Sequence, residues 1–285
     1  MAYTVQTAFN QFFSAINLAD DHRTIATARK DRIVSLLGHH FDILEAFATG
    51  SIPRYTALQG KADLDVIIAL HYGKHIKDKT PIAVLQSVRD ALGEYRSQVR
   101  KNGQAVTLYY TTWPNVDIVP VSRGIDNNGT VTHYNVPDSN TGKWIESTPT
   151  THTSDMERRA GVCGPNFRMA IKMMKSWNNS HSGYLQSYHI EVMALRIFDA
   201  PMNDLPWEMF MFFQKSRELV GSFLWHGKGF VDEYLTYTDR EEAQKRLATA
   251  EIKARDAWYQ GIENNSERAI TYWKQLFGES FPSYG

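Results

Sequence analysis

Asp63 and Asp65 stand one residue apart inside "DLDVIIAL", a run that is otherwise apolar. Side chains alternate across a strand, so the two acids share one face and Leu64 and Val66 take the other. A core position for both acids carries a heavy desolvation cost for each uncompensated charge. The pattern therefore calls for a cleft, or a bound cation, along the acidic face. Two carboxylates a pleat apart suit Mg²⁺, a hard ion that takes oxygen ligands and keeps some waters. A third acid, Asp117, lies in "NVDIVPV" between Val116 and Ile118. A hairpin or meander that sets this strand beside the first puts three carboxylates on one sheet face. That set suffices for two Mg²⁺ ions, with Mn²⁺ as the alternative metal. One ion helps deprotonate an attacking hydroxyl, and the other neutralises a triphosphate and its leaving pyrophosphate.

Upstream, Gly50-Ser51 ends the β-capable run "DILEAFATG" and is expected to open a short helix. Glycine allows close backbone approach, amides at a helix start bind anions, and the serine hydroxyl can reach a phosphate oxygen. The pair carries no signal alone; its place ahead of a strand with D-x-D gives it meaning.

The elements that must hold these residues follow from periodicity. Residues 3–17 and 21–38 read as helices. "TPIAVLQSVRDALGEY" reads as an amphipathic helix opened by Thr80-Pro81. "VTLYYTTW" and "VDIVPVS" read as strands with a turn at Trp113-Pro114-Asn115, and Asp126-Asn127-Asn128-Gly129 turns into the strand "TVTHYNVP". "DSNTGKWIESTPTTHTSD" reads as a polar, turn-rich connection. Helices are expected after it at 164–179, 185–199, 205–224, 239–260 and 264–277. In the first of these, Phe167, Ala170, Ile171, Met174 and Trp177 form a core-facing stripe. Thr238 and Glu241 fit a capping box at the start of 239–260. The expected fold is α+β and bilobed. Residues 1–150 supply the N-terminal helices and a mixed-sheet catalytic lobe, and 151–285 a helical lobe.

Composition excludes several classes. With 31 basic and 31 acidic residues the formal net charge is +0, so no global field draws the chain to nucleic acid or an anionic membrane. One cysteine, Cys163, permits neither an internal disulfide nor a cysteine-based zinc site. His39 and His40 are adjacent and project in different directions on a helix, so they read as ordinary histidines. "MAYTVQTAFNQ" does not resemble a secretion signal, and no apolar run reaches membrane-spanning length. The expected location is cytoplasmic, with no membrane partner.

Gly-Ser, then D-x-D in one strand, then a lone Asp in a later strand resembles the polymerase-β-type nucleotidyltransferase superfamily. "GSIPRYTALQGKADLDVIIAL", "VDIVPV", "YNVPDSNTGKWIESTPTTH", "IKMMKSW", "SYHIEVMAL" and "YWKQLFGESFP" together resemble the bacterial CD-NTases. These are the cyclic-oligonucleotide synthases of CBASS anti-phage defence, similar in fold to cyclic GMP-AMP synthase and oligoadenylate synthetase. The resemblance implies that Asp63, Asp65 and Asp117 are the catalytic and metal-binding triad, and that Gly50 and Ser51 hold the triphosphate of ATP or another NTP. It implies that Lys172, rather than Lys175, reaches the triphosphate, that Ser187 bonds phosphate, and that Tyr188 stacks on a nucleobase. From the residues alone, Lys172 also reads as a solvated boundary lysine and Tyr188 as a core residue with its hydroxyl tied to a neighbour.

The reaction so implied joins NTPs into a cyclic di- or trinucleotide with release of pyrophosphate. The same triad would serve a linear nucleotidyltransferase acting on an antibiotic, a protein or a tRNA end. A nucleotide-binding regulatory module has less need of three acids. Too few cysteines and no long basic run are present for a zinc-based DNA grip, so no DNA activator is expected. "FGESFPSYG" reads as a flexible tail ending in Gly285. That glycine suits conjugation by a ubiquitin-transfer-like partner, as the resemblance implies for some members; a regulatory partner is also expected from it.

Overall fold

A computed structural model describes residues 3–93, 95, 97–99 and 103–285. The chain divides into two compact units. One comprises Met1–Leu18, Tyr55–Gln59 and Ser154–Gly285, and the other Ala19–Arg54 and Gly60–Thr153. The boundary expected at residue 150 falls instead after Thr153, and the stretches Met1–Leu18 and Tyr55–Gln59 belong with the C-terminal helices. The bridge between Asn17 and Leu58 ties these two pieces together inside the helical unit.

Helix α1 (Val5–Ile16) is capped by Thr4, whose hydroxyl accepts from the Thr7 amide, and buries Ala8, Phe9, Phe12 and Ile16. Helix α2 (Asp20–Leu37) opens the sheet unit. That unit continues through β1 (Ile43–Thr49), β2 (Leu64–Leu70), a π-helical turn at Tyr72–Ile76 and α3 (Pro81–Ala91). It then runs through β3 (Ser97–Val99), β4 (Val106–Leu108), β5 (Val116–Ile125), β6 (Val131–Asp138) and β7 (Lys143–Ser147). Thr80 caps α3 as its sequence suggests, but the helix stops at Ala91 rather than Tyr95; Glu94 lies outside the described residues.

The strands pair in the order β1-β2-β5-β4-β3, with β6 added to β5 and β7 to β6. β2 and β5 are parallel. They are therefore not joined by the hairpin or meander expected from sequence, because a parallel neighbour requires a crossover; α3, β3 and β4 supply it. β4 and β5 do form an antiparallel pair, around a turn with a cis Trp113–Pro114 bond. One face of β2 and β5 carries Leu64, Val66, Val116 and Ile118, all buried. The other packs Ile67, Ala69 and Val121 with Tyr134 and Val136.

The stretch expected to be a polar connection instead forms β7 and helix α4 (Pro149–Cys163). Its polar residues fit an exposed strand and a helix of low apolar content, and both elements lack a strong periodic stripe. Helices α5 (Pro165–Ser180), α6 (Ser187–Ile197) and α7 (Leu205–Val220) follow. Next come a hairpin of β8 (Trp225–His226) and β9 (Gly229–Phe230), then α8 (Tyr237–Ile262) and α9 (Ser266–Phe277). α7 ends at Val220, four residues before the expected Leu224, which is instead buried on the approach to β8. α8 is capped by Thr236, not Thr238: the Thr236 hydroxyl accepts from the Asp239 amide and donates to the Asp239 carboxylate, so the helix starts two residues early.

The core stripe of α5 is buried as expected, against α1, α6, α7 and α9. The C-terminal tail is not loose. Phe281 is fully buried against Phe9, Phe12 and Phe277, Tyr284 packs edge-on to Tyr3, and Lys274 donates to the Ser283 hydroxyl. A buried aromatic side chain outweighs the local flexibility signalled by Pro282 and Gly285.

Candidate functional site

In the sheet unit, Asp65 and Asp117 are direct register partners on the parallel strands β2 and β5, so they lie side by side on one face. Asp63 stands just before β2, two residues from Asp65. Asp63 and Asp65 are half-buried, and Asp117 is 1% exposed. Thr107, opposite Asp117 on β4, donates its hydroxyl to Asp117 Oδ1 at 2.6 Å. This bond fixes the orientation of the buried carboxylate.

Gly50 completes the group. It follows β1, whose Thr49 pairs with Asp65, and it adopts φ +78°. A Cβ on Gly50 would lie 1.9 Å from Asp65 Oδ2. Only a residue without a side chain permits the backbone to lie against this carboxylate. Ser51 does not open a helix: residues 51–55 form a turn, and Ile52 and Arg54 within it are buried. The helix-start amides expected to cradle phosphate are therefore replaced by a glycine-led turn beside an acid. Among the described residues no three His, Cys, Asp or Glu side chains are gathered as a ready metal-binding group. The backbone supplies a common face for Asp65 and Asp117. The donors are hard carboxylate oxygens with a glycine-lined approach, a set that fits Mg²⁺ and not a soft metal.

In the helical unit the sequence-indicated residues have defined partners. Lys172 is not a boundary residue: it is 2% exposed, bonds the side chain of Asn17 at the end of α1, and sits 5.2 Å from the centre of the Phe13 ring. Lys175 is also buried and pairs with Glu191 at 2.7 Å, with further bonds to the carbonyl and hydroxyl of Thr56. The Thr56 hydroxyl also bonds Glu191. Ser187 is exposed at the first turn of α6. Tyr188 is half-buried, and its hydroxyl is 2.7 Å from His226 Nδ1.

Two groups found in the structure escaped the sequence reading. Thr107 is a polar residue inside an apolar strand, a signal that was available but lay in a three-residue strand. His226 and Asp155, 3.3 Å apart, meet Tyr188 only through tertiary packing and leave no local signal.

The family described as "Second Messenger Oligonucleotide or Dinucleotide Synthetase domain" matches residues 3–159. Over its full length the chain is 22% identical to a probable cyclic nucleotide synthase of Bacillus cereus strain VD146, covering 99% of that protein. It is 21% identical to the CBASS oligonucleotide cyclase CdnC of Escherichia coli strain KTE188, with 94% of each chain covered. Among solved structures it is similar to E. coli MS115-1 CdnC with ATP, at a TM-score of 0.76, 17% identity and 99% of each chain. The same protein in complex with HORMA-deltaN gives a TM-score of 0.77 at 17% identity, covering 97% of this chain and 98% of that one. The fold is thus that of the CD-NTases, and the chain belongs to the second messenger oligonucleotide or dinucleotide synthetase family.

Proposed function

We propose that this chain is a divalent-metal-dependent nucleotidyltransferase that joins ATP or other NTPs into a cyclic di- or trinucleotide in CBASS defence. The observation that carries the reading is the pairing of Asp65 with Asp117 in direct register, with side-chain-free Gly50 packed on Asp65. In this reading Asp63, Asp65 and Asp117 hold Mg²⁺, which supplies charge neutralisation for the triphosphate and the leaving pyrophosphate. Asp117, held by the Thr107 hydroxyl, orients a ribose hydroxyl and accepts its proton. The hydroxyl oxygen bonds the α-phosphorus as the bond to the β-phosphate oxygen breaks, and pyrophosphate leaves. A further attack within the linear intermediate closes the ring. Gly50 and Ser51 hold the triphosphate, Lys172 and Ser187 contribute to phosphate binding, and Tyr188 carries a base.

E. coli CdnC forms a complex with HORMA-deltaN, which supports a protein partner for this chain as well. A ubiquitin-transfer-like partner at Gly285 would meet a tail held down as far as Tyr284; intact mass of protein from its native host reads such conjugation directly. The central test is Asp65→Asn with labelled NTPs and Mg²⁺. Loss of incorporation with an unchanged melting profile supports the reading, and retained synthesis rejects it. Mass spectrometry after phosphatase treatment separates cyclic products, which keep no sensitive end, from linear ones.

A further inference from the structure

Tyr188 lies in the first turn of α6, and its ring does not stand alone. His226 packs against it edge-on, with ring centres 5.8 Å apart at 69°. Its hydroxyl is 2.7 Å from His226 Nδ1, and His226 Nε2 is 3.3 Å from Asp155 Oδ2 on α4. An ionised carboxylate only accepts, so Nε2 carries the proton and donates to Asp155. In the neutral ring Nδ1 is then the acceptor, and the Tyr188 hydroxyl donates to it. The three groups form one directed chain, Tyr188 to His226 to Asp155. Arg158 closes its far end by donating to Asp155 at 2.5 Å.

His226 sits on the β8–β9 hairpin, whose strands are two residues each. Such a hairpin has little stability of its own. It is fastened to α6 twice: by Tyr188 near the start of the helix, and by Arg196 near its end, which donates to the Trp225 carbonyl at 2.9 Å. The hairpin therefore holds α6 along its length and presents an acceptor at the one polar atom of Tyr188. A tyrosine on an unsupported first turn would sample several ring orientations. A ring bonded at its far end and packed on its edge keeps one.

We propose that His226, oriented by Asp155, is a positioning residue that fixes the ring plane of Tyr188 as a nucleobase platform. NTP affinity then depends on a hairpin 38 residues downstream of that tyrosine. The inference rests on the reading of Tyr188 as a base-stacking residue, and the experiment separates the two. Initial rates of pyrophosphate release are measured against NTP concentration for Tyr188→Ala, Tyr188→Phe, His226→Ala, His226→Asn and the double variant Tyr188→Phe/His226→Ala. Loss of a stacked ring raises KM by about tenfold or more. Tyr188→Phe and His226→Ala each raise KM by about three- to tenfold with kcat within about twofold, as expected for one lost orienting bond. The double variant matches either single one, because both remove the same link. His226→Asn keeps an acceptor for the tyrosine hydroxyl and restores KM to within about twofold of the parent. An unchanged KM in Tyr188→Ala overturns the platform reading itself. A KM effect in Tyr188→Ala combined with an unaffected KM in His226→Ala, or with multiplying effects in the double variant, overturns the positioning role alone. Should His226→Ala fail to fold, Tyr188→Phe and His226→Asn decide the matter: a KM raised in the first and kept in the second supports the role, and any other pair of results overturns it.

Discussion

Gly50→Ala probes the site most directly, because its two costs can be separated. The first is conformational. Gly50 has φ +78°, and an L-residue in the left-handed region costs about 1–2 kcal/mol. The second is steric and local to the chemistry. The new methyl would lie 1.9 Å from Asp65 Oδ2 and 2.9 Å from its carboxyl carbon. Ordinary carbon contacts begin near 3.5 Å, so the carboxylate or the turn must move by about 1.5 Å. A displacement of ~1 Å at a reacting centre can cost about a hundredfold in rate. Gly50→Ala is therefore expected to lose about a hundredfold or more of Mg²⁺-dependent pyrophosphate release, while its unfolding free energy falls by about 2–5 kcal/mol, the conformational cost plus that of the clash. Gly142→Ala is the matched control. It has φ +70° and nothing within 4 Å of the position a Cβ would take, so it bears the first cost without the second. Equal losses of activity in the two variants, or a Gly50→Ala enzyme within about threefold of the parent, would refute the argument that Gly50 is small for the sake of Asp65.

Three further outcomes follow from the surroundings of single residues. Thr107→Val removes the hydroxyl bonded to Asp117 and takes one donor from that buried carboxylate; Mg²⁺-dependent pyrophosphate release should fall by about tenfold, and a rate within about twofold of the parent refutes the positioning role of Thr107. Glu191→Gln removes the carboxylate paired with buried Lys175, which keeps its bonds to Thr56, and should destabilise the helical unit by about 3–5 kcal/mol in denaturant, whereas Lys175→Met/Glu191→Leu recovers most of that loss. His189 is fully buried, and desolvation pushes its pKa down from 6.5 to about 4. The native ring stays neutral while the unfolded chain takes up a proton, so this contribution to stability is intact above the unfolded pKa and is lost as pH falls from there toward the folded value. Between pH 7 and pH 5.5 the linkage amounts to roughly 1 kcal/mol, and His189→Gln should flatten that part of the stability–pH curve; an unaltered slope rules out the buried neutral ring.

The helices of the C-terminal half were legible because each carries a stripe. Phe167, Ala170, Ile171, Met174 and Trp177 are all buried. α4 was not legible, since its first turns read Thr, Thr, His, Thr, Ser and carry no apolar period. Caps were legible in kind but not in place. Thr236 and Thr238 each have an acidic residue three positions on, and the helix is capped by the first. The charged residues of α5 show the same limit more sharply. Lys172 and Lys175 fall beside the apolar stripe, where solvated lysines are usual. Both are buried because Asn17 and Glu191 meet them, and Glu191 lies on another helix, 16 residues away. No local pattern encodes a countercharge brought by packing.

The acidic face was legible even though the topology was misread, and alternation explains why. Whether β2 and β5 are parallel or joined by a hairpin, adjacent strands put residues of matched register on the same face. What sequence could not supply was the register. A slip of one residue would have set Val116 or Ile118 beside Asp65 and turned Asp117 to the opposite face. The apolar residues remove that option. Leu64, Val66, Val116 and Ile118 are all buried on one face, and any odd slip would put an aspartate among them. The same packing that makes "DLDVIIAL" and "VDIVPV" strands thus forces Asp65 and Asp117 together on the other side. The acid pair is thus a product of the core packing, with Thr107 bonded to Asp117 beside it.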